Sequence, residues 1–170
     1  ASFFHLGHPE RGWRAAARWR TSWLSREVIV LPIMMTLVFV YGVAHGLGWT
    51  QPLFQLGALR MDATLMLGLL GTVASLALFV CTAMIYAGLR FMQEWHTPLT
   101  VSNFILLGTA SGFMLAAAYA AWLGNPLMSF FGAWAIILTL LGLVSRMASL
   151  SRNARLTHRS TTQSAIGIRH

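Results

Sequence analysis

Lysine is absent from this 170-residue chain, and only four of its side chains are acidic. With charged residues at 9% against 56% hydrophobic ones, polar groups are too few to cover a soluble globule of this size, so the composition is that of a membrane protein. The one cysteine, Cys81, excludes an internal disulfide and cannot ligate an iron–sulfur cluster by itself. Also missing are a phosphate-cradling glycine loop, a metal-spaced set of Cys or His, and a nucleophile motif. Any electron-transfer role must borrow its redox centres.

All twelve basic residues are arginine, a choice that favours bidentate pairing with carboxylate or phosphate and stacking on aromatic rings. They fall almost entirely in residues 5–27, 90–96 and 146–170, between long apolar runs. The net charge of +8 therefore describes membrane flanks and not a nucleic-acid face. Lipid headgroups and an acidic partner surface are both suited to such flanks.

Four runs reach the roughly 20 residues needed to cross the hydrocarbon core: 28–48, 64–89, 100–123 and 127–148. The expected fold is all-α and integral to the membrane, an antiparallel bundle of four transmembrane helices forming a single anchor domain, with a polar tail over 149–170. Buried helices of a soluble bundle would need a polar face on each, and Leu65–Leu89 offers only Thr, Ser, Cys and Tyr. Asp62 is placed to cap the second helix, Pro98 breaks the chain before the third, and Gly124-Asn125-Pro126 allows only a tight antiparallel turn. In the third helix Gly108, Gly112, Ala116 and Ala120 recur every four residues, a stripe suited to internal packing or to a partner helix. The opening Ala1-Ser2-Phe3-Phe4 reads as the last turn of an earlier apolar helix and Ala165–Ile168 as the start of another, so a fragment of a longer protein is expected.

Helices in series place 5–27, 90–99 and 149–170 on one side, with eleven arginines when Arg146 is counted there, and leave only Arg60 on the other. By the positive-inside rule the arginine-rich side is cytoplasmic.

The stretch His5–Glu27 concentrates the chemistry. Pro9 suits the first position of a helix and Glu10 its positive end, which predicts an interfacial helix over 9–20. At 100° per residue Arg11, Arg14 and Arg18 form one stripe and the tryptophans spread opposite, an arrangement for docking a partner or for a plain aromatic belt. Ser25 is a possible cap for the first span, with Glu27 in its first turn or paired to a neighbouring arginine such as Arg26. A carboxylate there can also exchange protons with a lipid-soluble redox molecule, and the imidazole of His5 can serve the same end. His8, Arg26, Glu94 and His96 are further candidates for the same pocket. Tyr41 and His45 share a helix face and are read as packing; His45 lies far from His5, His8 and His96, which counts against a bis-histidine haem.

His5-Leu6-Gly7-His8-Pro9, then Arg11, Trp13 and Arg14, and the closing Ser22-Trp23-Leu24-Ser25-Arg26-Glu27 resemble the membrane anchor subunit of dimethyl sulfoxide reductase and its relatives, including the membrane subunit of sulfite-oxidising complexes. The tail from Arg159 to Gly167 resembles the same family. The resemblance implies an anchor of about eight helices in a bacterial inner membrane, without its own haem. It implies an iron–sulfur subunit and a molybdopterin catalytic subunit as partners, a quinone (menaquinone or ubiquinone) as the lipid-soluble cofactor, and His5 and Glu27 as the quinone-binding pair. The arginine bias suits the sulfite-oxidising type. A membrane channel or transporter, or a purely structural anchor without a quinone site, are the competing readings.

Overall fold

A computed structural model of the chain describes residues 8–56 and 59–157; His5 and the tail from 158 onward lie outside the described residues. A 3-10 turn at Pro9–Arg11 leads to helix α1 (Arg14–Ala17) and then to α2 (Trp23–Gly46). A hairpin of strands β1 (Pro52–Leu56) and β2 (Leu59–Asp62) joins α2 to α3 (Ala63–Ala87). Helices α4 (Pro98–Trp122) and α5 (Met128–Asn153) complete the order. The four long helices are each apolar enough to cross a membrane, and the chain is a multi-pass membrane protein. It divides into two compact units, Ala1–Tyr86 and Ala87–His170, described separately below.

Caps explain where the helices begin. Ser22, in extended conformation, accepts the Ser25 N–H at 3.3 Å, so α2 starts at Trp23 and not at 28. Ser25, the cap expected from the sequence, is instead a buried residue of the first turn, and Glu27 lies beyond that turn. Asp62 does cap α3, accepting the Leu65 N–H at 2.6 Å and the Thr64 hydroxyl at 2.8 Å. Thr97 caps α4, with Pro98 in its first turn where a missing N–H costs nothing.

Other expectations are corrected. The continuous helix over 9–20 is broken: Trp13 offers α1 no side-chain cap, Gly12 precedes it, and so short a helix cannot sustain itself without packing. The connector over 49–63 contains an antiparallel hairpin, with Phe54 opposite Met61 and Leu56 opposite Leu59. At the other end α5 runs on to Asn153, where Arg152 donates to the Gln93 carbonyl at 2.9 Å.

Within the second unit α4 and α5 form an antiparallel hairpin. Gly124 supplies the positive φ of 63° at its turn, and the Asn125 side chain accepts the Leu127 N–H at 2.9 Å. The contact uses small residues and one polar pair. Ala110, Ala120 and Ala135 are buried, and Asn103 donates to Ser149 at 2.9 Å. Gly142 is the closest approach, since a Cβ there would stand 2.8 Å from Leu107 Cδ2. Of the stripe read from the sequence only Ala120 is buried; Gly112 faces open space. Large apolar side chains point outward instead, Leu115 at 73% exposure and Val144 at 67%, as expected where lipid or another apolar surface is the surroundings.

Replacing Gly142 with Leu forces the hairpin apart and is expected to cost roughly 1–3 kcal/mol, whereas Gly132→Ala meets open space and is expected to be neutral. Thermal unfolding in detergent measures both, and equal midpoints for the two variants would contradict this packing.

Candidate functional site

Glu27 is the only acidic residue of α2, and the fold gives it a particular partner. The Thr82 hydroxyl, on α3, donates to Glu27 Oε1 at 2.6 Å. The same two helices meet again where Tyr41 lies against Gly68, close enough that a Cβ on that glycine would stand 3.3 Å from the ring. Glu27 with Thr82 and Tyr41 with Gly68 are fourteen residues apart along each helix, so α2 and α3 run antiparallel in constant register over about 21 Å. Pairing of Glu27 with an arginine, an open alternative in the sequence, is not what forms. Among the described residues the ion pairs are those of Glu10, with His8 at 3.0 Å and Arg11 at 3.9 Å, both on the exposed surface.

One carboxylate oxygen is thus held by a hydroxyl while the other remains able to accept. Half-buried at the arginine-rich end of an apolar helix, Glu27 can take a proton from a neutral ligand arriving from the hydrocarbon. The charge-assisted bond from Thr82 fixes its rotamer. Thr82 carried no signal in the sequence, where it was one hydroxyl among several in an apolar run. Only the pairing of α2 with α3 singles it out.

Arg26, beside Glu27 in sequence, is committed elsewhere. Its Nε donates to the Trp19 carbonyl and its Nη2 to the Arg20 carbonyl, both at 2.9 Å, while its guanidinium lies 4.1 Å from the centre of the Trp23 ring. It clamps the segment before α2 rather than offering a free charge to a ligand. Arg11, Arg14 and Arg18 are all exposed, but the break between the 3-10 turn and α1 removes the regular stripe expected of them. The neighbouring guanidiniums cover tryptophan, Arg14 over Trp13 at 5.9 Å and Arg20 over Trp19 at 5.4 Å.

In the second unit Glu94 and His96 are exposed. His96 Nδ1 lies 2.6 Å from the carbonyl of Ala87, the last residue of α3, and so satisfies one of the acceptors a helix leaves open at its end. That is a capping role. His8, likewise, is engaged with Glu10.

The fold and the gathering of ionisable groups at the helix ends define a multi-pass membrane protein, and comparison with known proteins shows its family. The family of the DMSO reductase anchor subunit (DmsC) matches residues 1–168, and the chain belongs to that family. It is 76% identical over 171 residues to a protein of Allochromatium vinosum named as the C subunit of sulfite dehydrogenase. All of this chain is covered, and it spans about half, 53%, of that relative's length. No solved structure matches it.

The clamp makes a direct prediction. Arg26→Lys retains the charge but loses the two-carbonyl grip, so amide hydrogen exchange over residues 14–22 should accelerate while that of α4 stays unchanged. Exchange over 14–22 identical to the parent would refute the clamp.

Proposed function

We propose that the chain binds a quinone or quinol at the Glu27 edge of α2 and α3 and passes electrons between it and the iron–sulfur subunit of a molybdopterin oxidoreductase complex of the sulfite-oxidising type. The observation that carries this reading is the Glu27–Thr82 contact, an oriented carboxylate at the hydrocarbon boundary in a family of anchor subunits. The name of the 76% identical relative supports the choice of substrate.

The balance of the reaction sets the tasks. Oxidation of sulfite to sulfate in water releases two electrons and two protons, and reduction of a quinone to quinol consumes two of each. The catalytic chemistry belongs to the molybdopterin subunit and the conduction to the iron–sulfur clusters, both in partner chains. This chain's residues position the quinone and supply protons to its oxygens. Glu27, protonated from the aqueous side on the oxygen that Thr82 does not engage, delivers one and is left as the carboxylate, and His5, on the segment preceding the 3-10 turn, delivers the other in the same way. In a quinol-oxidising relative the same groups accept protons. The exposed Arg11, Arg14 and Arg18 meet an acidic surface of the partner. The excess of arginine on that side, eleven to one, supports a cytoplasmic location for the partners at a bacterial inner membrane.

Sulfite-dependent quinone reduction by membranes holding the whole complex tests this. Glu27→Gln should lower the rate about 100-fold, the scale of a lost acid–base group. Thr82→Val should lower it about tenfold, with Thr82→Ser close to the parent. Reversing Arg11, Arg14 and Arg18 to Glu should release the partner subunits into the soluble fraction. Electron flow that survives Glu27→Gln combined with His5→Ala would leave the chain a purely structural anchor.

A further inference from the structure

At the end of the α2–α3 pair away from Glu27 there is a cleft of about 460 Å³ that the redox reading leaves unused. Its lining includes Tyr41, His45, Asp62, Thr64, Leu65 and Leu69. Tyr41 and His45, one turn apart on α2, meet edge to face with ring centres 4.6 Å apart. Tyr41 can lie against α3 there because Gly68 has no side chain. Asp62 closes the polar end of the cleft. Its Oδ1 takes both the Leu65 N–H and the Thr64 hydroxyl. The Leu65 N–H first, then the Thr64 hydroxyl and the Thr64 N–H, hold this carboxyl below the usual carboxylate range, and the nearby His45 adds to the effect. Leu65 and Leu69 form an apolar wall running along α3 into the span, 38% and 54% exposed.

These features select a ligand. An ionised carboxylate lining the same cleft as a tyrosine ring attracts a cation that can also donate hydrogen bonds. The apolar wall requires that this cation be attached to a hydrocarbon chain. A quinone carbonyl, being an acceptor, would meet the carboxylate unfavourably. His45, which also lines the cleft, can donate a hydrogen bond to an anionic group next to the cation. We propose that this cleft binds the headgroup of an aminophospholipid, its primary ammonium on Asp62 and Tyr41, its phosphate towards His45, and one acyl chain along Leu65 and Leu69. The site is independent of the quinone reading, from which it is separated by about 21 Å along the helices.

Lipid retention by the complete complex tests the proposal. The complex is placed in nanodiscs of equal parts phosphatidylethanolamine, phosphatidylcholine and phosphatidylglycerol, and the lipids that stay bound are counted by native mass spectrometry. Phosphatidylethanolamine should be retained preferentially, since the trimethylated headgroup of phosphatidylcholine has no N–H to donate and phosphatidylglycerol has no cation. Asp62→Asn is the decisive variant, because asparagine caps a helix as well as aspartate does while lacking the charge; it should reduce the preference about tenfold. His45→Ala, which disturbs neither the cap nor the Tyr41–Gly68 contact, should weaken it, and keeps the test open if Asp62→Asn fails to assemble. Equal retention of the three lipids, a preference unchanged by these variants, or displacement of the bound lipid by a short-chain quinone would each overturn the proposal.

Discussion

A carboxylate at the edge of hydrocarbon must be given a partner, and the arrangement of the first unit follows from the one Glu27 receives. The Thr82 hydroxyl comes from a helix 55 residues further along the chain, so the bond both satisfies the charge and joins α2 to α3. Its counterpart at the other end is a packing contact, Tyr41 on Gly68. These two points set the pairing: sliding one helix by a single residue would turn the threonine away from the acid and bring a side chain onto the tyrosine ring. Chemistry at one end and close packing at the other are therefore parts of the same alignment.

Position relative to the membrane then divides the labour among ionisable side chains. Arg26 supports its own chain segment, His96 closes a helix end and Asp62 opens another. Arg26 and His96 were candidates for chemistry by residue type, while Asp62 was read from the sequence as a cap. Glu27 differs because its partner is a neutral hydroxyl, which orients the carboxylate without neutralising it by a salt bridge. Such an acid can exchange a proton with a neutral ligand, and this distinguishes it from the ordinary surface pair of Glu10 with His8.

Much of this was legible in the sequence. Runs of apolar residues long enough to span a bilayer marked all four long helices, and Asp62, Pro98 and the Gly124-Asn125-Pro126 turn marked several of their ends. The motif from His5 to Glu27 marked the family. What could not be read has identifiable causes. The cap of α2 fell on Ser22 rather than Ser25 because two serines three residues apart are equivalent in composition, and only the backbone bond decides between them. The hairpin over Pro52–Asp62 lacks the Asn-Gly type of signal. Helix α1 is short because periodicity promised a face while nothing capped or buried it. Above all, Thr82 could not be found, since the identity of a helix's neighbour is a property of tertiary packing and no spacing along the chain encodes it.

The proposed quinone site is the Glu27–Thr82 edge. Photolabelling of the whole complex in its membrane with a quinone carrying a photoreactive ring substituent tests it most directly. Label should concentrate on the peptides bearing Glu27 and Thr82 and be lost in competition with unmodified quinone. Competable label confined to peptides distant from both residues would contradict it.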